Sequence, residues 1–189
     1  QTINEVIGQQ HLLAKGKVIR RCIEEKAVCS MIFYGPPGTG KTTLAGVIAN
    51  ELHIPYRLFN AVSGNKKDLD TIFEEAKYYD GLILIIDEVH RLNKDKQDLL
   101  LPHVENGSIT LIGATTSNPL HAINPAIRSR CHLFEIKKLN QDDIKKALCY
   151  AMESERGLNN QVEIEEAALN YIAGCCNGDL RFALNVLEI

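Results

Sequence analysis

The stretch Gly35-Pro36-Pro37-Gly38-Thr39-Gly40-Lys41-Thr42 leaves this chain few folds to choose from. It fits G-x-x-x-x-G-K-[ST], in which glycines let the backbone take positive φ and gather successive N–H groups around an anion. The apolar run Met31-Ile32-Phe33-Tyr34 ahead of it reads as a buried strand. Behind it, Thr43-Leu44-Ala45-Gly46-Val47-Ile48-Ala49 reads as the first turns of a helix. Strand, glycine loop and helix in that order make a phosphate-binding loop, not a glycine-rich turn before an ordinary helix. Pro37, Gly38, Thr39 and Gly40 form the cradle, and Thr43 continues it into the helix. The helix start adds unpaired N–H groups and a positive dipole end. Lys41 supplies a cation for β- and γ-phosphates, and the Thr42 hydroxyl can ligate Mg²⁺.

The run Leu82-Ile83-Leu84-Ile85-Ile86-Asp87-Glu88 is the second strong constraint. Continuous apolar residues indicate a strand buried on both faces, as in a parallel sheet. It ends in two carboxylates where open α/β sheets place their ligands. Asp87 fits a Walker B role, holding Mg²⁺ partly through water, and Glu88 can polarise an attacking water. The bland reading, two acidic residues at a helix start, loses force beside a phosphate loop.

Further strands are expected at Tyr56-Arg57-Leu58-Phe59, Ser108 to Gly113 and His132 to Ile136. Five strands alternating with helices argue an α/β fold with a parallel, doubly wound five-stranded sheet. Gln9 to Glu25 reads as one helix, with Leu12, Ile19 and Ile23 inside. Asn65 and Asp68 form a capping pair for a helix that buries Leu69, Ile72, Phe73 and Ala76. Asn65-Lys66-Lys67-Asp68 also matches the N-K-x-D guanine motif, but it precedes the acidic strand, which favours the cap. After the fourth strand, Asn118 stands before Pro119; it reads as a turn opener or as an amide that orients water. Asn124 to Cys131 reads as a short helix ending in Arg128 and Arg130. Each is either a solvated charge at a helix end or a finger for a neighbouring subunit's γ-phosphate.

From residue 139 the pattern turns all-helical. One helix carries Ile144, Leu148, Ala151 and Met152; a second carries Ile164, Ala168, Tyr171, Ile172 and Cys175. Asp179 caps a third with Leu180, Ala183, Leu184 and Leu187 inside. Arg181 lies in its first turn, where a cation opposes the dipole. The expected organisation is an α/β domain over 1–138 and a small helical lid over 139–189, the lid incomplete. Ending inside an apolar-periodic run, the chain reads as a piece of a longer protein.

A net charge of −3 means that any nucleic-acid contact comes from local patches, not bulk charge. No apolar run reaches the ~18 residues of a transmembrane helix, and no signal peptide opens the chain. Six cysteines without a C-x-x-C pair read as reduced, mostly buried cytosolic thiols, not as a zinc site.

With these pieces together, the chain resembles AAA+ ATPases of the clamp-loader group, most closely the replication-associated recombination protein A family, relatives of the Werner helicase-interacting protein. The resemblance rests on Val6-Ile7-Gly8-Gln9, the phosphate loop and Asp87-Glu88-Val89-His90-Arg91-Leu92-Asn93-Lys94. It continues through Leu101-Pro102-His103-Val104-Glu105-Asn106-Gly107, Gly113-Ala114-Thr115-Thr116-Ser117-Asn118-Pro119, Ser129-Arg130-Cys131 and Gly178-Asp179-Leu180-Arg181. It implies ATP and Mg²⁺ as cofactors and hydrolysis coupled to DNA at stalled or gapped replication forks. Val6 and Ile7 match the adenine-side pocket, Asn118 sensor 1, Arg130 the arginine finger acting in trans, and Arg181 sensor 2. Ser117 replaces the acidic residue usual in the family, and Arg128 stands where an apolar residue is usual, which leaves two candidate fingers. The implied partners are gapped, forked or single-strand/duplex junction DNA, single-strand-binding protein and further copies of the chain, with no membrane. The implied location is the bacterial cytoplasm, at the nucleoid. Lys66, Lys67 and Lys94 stand at helix starts that face DNA in clamp loaders.

Within the class, the rivals are a clamp-loader subunit and a Holliday-junction branch-migration motor. No cysteine cluster falls between Cys29 and Cys131, unlike clamp-loader subunits with a zinc module. Ala61-Val62-Ser63-Gly64 lacks the aromatic of an unfoldase pore loop. A nucleotide-binding scaffold that never hydrolyses ATP is the rival from another class; Glu88 argues against it.

Overall fold

A computed structural model describes residues 2–188. The chain order is α1 (Gln10–Leu13), α2 (Val18–Glu24), β1 (Met31–Tyr34), α3 (Lys41–Glu51), β2 (Tyr56–Asn60), α4 (Lys66–Ala76) and β3 (Leu82–Asp87). Then come α5 (Lys94–Glu105), β4 (Ile109–Thr115), α6 (Pro119–Ala122), α7 (Pro125–Arg128), β5 (His132–Glu135), α8 (Gln141–Glu153), α9 (Glu166–Cys175) and α10 (Leu180–Leu187). The five strands lie in the order β2-β3-β4-β1-β5, and every pair is parallel.

The sheet is sealed on both faces, as the unbroken apolar run in β3 requires. Ile83 and Ile85 pack on one side with Leu44, Ile48 and Phe33; Leu84 and Ile86 pack on the other with Leu69, Phe73 and Leu100. Alternate residues of one strand thus serve two cores. A third cluster, Leu139, Ile144, Leu148, Ile172, Ala173, Cys176 and Ala183, lies wholly in the C-terminal part, from Leu139 onward. All four residues expected on the buried face of α4 are buried, and its Asn65–Asp68 pair forms a reciprocal capping box, with bonds of 3.0 and 2.8 Å.

Three expectations change. The Gln9–Glu25 segment is two helices: Ala14 is extended, ending α1, and a turn with Gly16 at φ 79° leads to α2. In α9 the inward residues are Ile172 and Ala173, with Leu169 half-buried and Cys176 just beyond; Tyr171 is 74% exposed and Cys175 is also exposed. The true stripe is i, i+3, i+4, i+7 from Leu169, since the helix begins only at Glu166. The Asn124–Cys131 helix contracts to Pro125–Arg128, because Asn124 is its cap and accepts the Ala126 N–H at 2.7 Å.

Gly35 marks where sheet becomes loop. Its φ is +148°, and a Cβ there would sit 2.0 Å from the Ile136 carbonyl oxygen. That obstacle is backbone, held by the Ile136 N–H bond to Tyr34 O at 2.8 Å. Gly35→Ala is expected to destabilise the fold by about 2–3 kcal/mol. A lower denaturant midpoint at unchanged slope is the readout; an unmoved midpoint would mean that the loop relaxes freely.

Candidate active site

The parallel register brings the chemistry-bearing residues together at the carboxyl ends of the strands. β1 runs into the glycine loop and β3 into Asp87 and Glu88. Gly38 and Gly40 take φ +68° and +83°, as a loop that curls its N–H groups inward needs. A Cβ at Gly40 would meet nothing within 4 Å, so the space beside it is open. Lys41 opens α3, is buried to 8% exposure, and donates from Nζ to Gly35 O at 2.9 Å and Pro36 O at 2.6 Å. Burial lowers its ammonium below the ordinary lysine range, while Glu88 and Asp87 pull it back up.

Thr42 Oγ1 lies 3.5 Å from Asp87 Oδ1, joining the phosphate loop to the end of β3. One hydroxyl and one carboxylate suit Mg²⁺, which keeps several waters and takes its other ligands from phosphates. With the open glycine loop, the residues present fit a Mg²⁺-bound nucleoside triphosphate. Glu88 is half-buried with φ 51° and ψ 45°, a left-handed backbone rare for a bulky side chain. Its N–H donates to Asp87 Oδ1 at 3.1 Å. Unfavourable backbone of this kind clusters at functional sites.

Asn118 follows β4, and its Oδ1 accepts the Leu120 N–H at 3.0 Å. The turn-opener reading therefore holds geometrically, and the residue's place beyond β4 remains compatible with sensing. Val6, Ile7, Thr39, Gly40 and Thr43 line one cavity of about 380 Å³ together with Leu139, Tyr150 and Leu180 of the C-terminal part. The C-terminal helices touch the loop directly: the Leu180 N–H donates to Gly38 O at 3.0 Å. Asp179 packs so closely that a Cβ on Gly38 would lie 1.8 Å from its Oδ1. Arg181 follows, near enough to lower the Lys41 pKa.

Arg130 stands apart from this group. Met31 aligns with His132, so Arg130, just before β5, sits at the amino ends of the strands. Its guanidinium pairs with Glu105 and donates to Ala126 O at 2.6 Å and Ser129 Oγ at 3.2 Å. Arg128 donates to Leu120 O. Next to Arg130, burial pushes the Cys131 thiol up to about 12, so it stays protonated. Of the six cysteines only Cys176 is buried; Cys22, Cys29, Cys131 and Cys149 are half-buried and Cys175 is exposed, so the expectation of mostly buried thiols is not met.

Two groups escaped the sequence reading of roles. Gln9 is 7% exposed, and its amide both donates to Lys137 O (2.8 Å) and accepts the Lys137 N–H (3.0 Å), tying the N-terminal segment to the connection between β5 and α8. The signal available was Gln9 beside Gly8, whose φ of +77° permits the turn. His103 of Leu-Pro-His-Val-Glu stacks on Phe73 with centroids 4.0 Å apart. The sequence has no sign of this pairing, because the two rings belong to different helices.

Residues 31–139 match the family model described as ATPase family associated with various cellular activities (AAA). Replication-associated recombination protein A of Bacillus subtilis (strain 168) is 53% identical over 99% of this chain and 45% of its own length. The protein of that name from Escherichia coli (strain K12) is 44% identical over 100% of this chain and 44% of its own. The chain thus spans less than half the length of these curated relatives. Among solved structures, the Thermotoga maritima RuvB Holliday junction branch migration motor superposes with a TM-score of 0.80 at 30% identity, covering 99% of this chain and 63% of that one. A glycine loop at the end of β1, paired carboxylates at the end of β3 and a match through the whole sheet make this chain a member of the AAA family.

Proposed function

We propose that this chain is the ATP-binding and ATP-hydrolysing module of a DNA-dependent ATPase acting in replication-associated recombination and repair. The observation that carries the reading is the meeting of Lys41, Thr42, Asp87 and Glu88 at one end of the sheet. The similarity to replication-associated recombination protein A supplies the biological setting.

In this reading residues 1–138 bind the nucleotide and the helical part from 139 is a lid over it. Val6 and Ile7 face the adenine, residues 37–43 wrap the phosphates, and Thr42 and Asp87 hold Mg²⁺. Bound Mg²⁺ supplies charge neutralisation at the phosphates. Lys41 adds a buried cation to the same charges. Glu88 takes the proton of the attacking water, and Asn118 orients that water. Arg181 covers the phosphates from the lid, and Arg130 reaches a neighbouring subunit's site. The chain alone should therefore turn over slowly, and a homo-oligomer of the full-length protein should be the working form. DNA with gaps, forks or single-strand/duplex junctions is the substrate, single-strand-binding protein the companion, and the bacterial nucleoid the place. No described helix is long and apolar enough to cross a membrane. Lys66, Lys67 and Lys94, all exposed, would contact DNA phosphates without reading sequence.

Branch migration is the second reading, favoured by the superposition on RuvB. ATPase rates of the full-length protein against single-stranded, gapped, forked and four-way-junction DNA separate the two, with this chain as control. Stimulation by gaps or forks in the full-length protein alone is the expected result. Preference for four-way junctions would favour the motor. An equal, DNA-blind rate in both proteins would sink the DNA-dependent reading.

A further inference from the structure

Glu88 does not stand alone at the end of β3. The next residues, Val89–Arg91, form a single 3-10 turn that brings His90 back over it. His90 Nδ1 lies 3.2 Å from Glu88 Oε2 and 2.8 Å from Thr115 Oγ1. Thr115 is the last residue of β4, 1% exposed, and its hydroxyl oxygen also accepts the Ser117 N–H at 3.0 Å. One ring nitrogen therefore connects the carboxylate beside the phosphate loop to the loop that carries Asn118.

The chemistry of the contact selects a tautomer. A carboxylate only accepts hydrogen bonds, and an unprotonated, electron-rich Nδ1 at 3.2 Å from it would be repelled. With the proton on Nδ1, the N–H donates to Thr115 Oγ1 at 2.8 Å, and its positive end lies beside Glu88 Oε2 at 3.2 Å as a charge contact, not as a second hydrogen bond. The hydrogen bond a histidine makes decides which nitrogen holds the proton.

We propose that His90 is a positioning residue for Glu88: its Nδ1–H, bonded to Thr115, holds the carboxylate by charge at 3.2 Å, so the water-activating group and the Asn118 loop are set as one unit. The ring is half-buried, with a side-chain exposure of 17% against 34% for Glu88, and this protects the tie from competing water. The proposal rests on the ATPase reading for its consequence, and on geometry alone for the tie itself.

Two measurements test it. Long-range ¹⁵N–¹H NMR on nucleotide-free protein, at a pH where the ring is neutral, reads the tautomer of His90 directly. An Nδ1–H ring is expected, and an Nε2–H ring would overturn the tie whatever the protein hydrolyses. In the full-length protein, His90→Ala is expected to lower kcat about tenfold, what one close polar contact to a charged group is worth. The dissociation constant for ATP should be unchanged. His90→Asn, whose side-chain N–H falls near the position of Nδ1, should recover most of kcat. Thr115→Val combined with His90→Ala should be no slower than His90→Ala alone, since both break one relay. Equal losses in the Ala and Asn variants, or a weaker ATP affinity with kcat kept, would overturn the role. Wild-type protein without any ATPase activity would remove the ATPase reading and this role together, while the tautomer would still report on the contact.

Discussion

Arg130→Ala in the full-length assembly is expected to slow ATP turnover by about 10³–10⁵, equivalent to roughly 4–7 kcal/mol of transition-state stabilisation. The geometry says why the loss should fall on a neighbour. Arg130 sits at the amino ends of the strands, whereas Lys41, Asp87 and Glu88 lie at the carboxyl ends. Its guanidinium is held locally by Glu105 and the Ala126 carbonyl, on a surface that leaves the side chain 37% exposed. An exposed pair of this kind contributes about 0–1 kcal/mol to stability. Thermal unfolding should therefore barely move, separating lost catalysis from lost structure. Mixing is the decisive test. Arg130→Ala subunits keep an intact Glu88, and Glu88→Gln subunits keep an intact Arg130. Each alone should be inert, and mixed oligomers should regain activity wherever a good finger meets a good site. Mixtures as inert as their parents would refute action in trans. If Arg128→Ala shows the loss instead, the finger is Arg128.

Glu88→Gln should bind ATP as tightly as the wild type and lose about 10²–10⁴ in turnover, the range for removing a general base. The substitution keeps shape and hydrogen-bonding reach but removes the charge that takes the water's proton. Binding should survive because the glycine loop, Lys41, Thr42 and Asp87 are untouched. Equilibrium binding of a fluorescent ATP analogue, beside single-turnover hydrolysis, reads both halves. Unchanged turnover would mean that Glu88 activates nothing, and would move the chain to a nucleotide switch acting through protein partners.

Much of this site was legible because its parts are local in sequence. A phosphate loop is eight consecutive residues, and its positive φ angles need glycines at set offsets, so Gly38, Gly40, Lys41 and Thr42 announce themselves. The buried run of β3 names both its sheet type and the carboxylates at its end. Helix boundaries were less legible where two periodic patterns competed. In α9, Ile164 and Tyr171 fitted one stripe, but the helix starts at Glu166, and the stripe through Leu169, Ile172 and Ala173 is the one that packs. The break between α1 and α2 was hidden because apolar residues on either side of it kept a helical spacing.

From its residues alone, this sequence determined a parallel α/β sheet, a phosphate loop and the acidic strand end. Each depends on contacts between neighbours in the chain or on a solid run of buried side chains. Tertiary structure alone decided which distant residues meet. It paired Gln9 with Lys137, stacked His103 on Phe73, set Asp179 against Gly38 and hung His90 between Glu88 and Thr115. The physical reason is that these contacts, His90–Glu88 apart, join residues far apart in the chain, and no periodicity encodes a partner that only the order of the strands brings near.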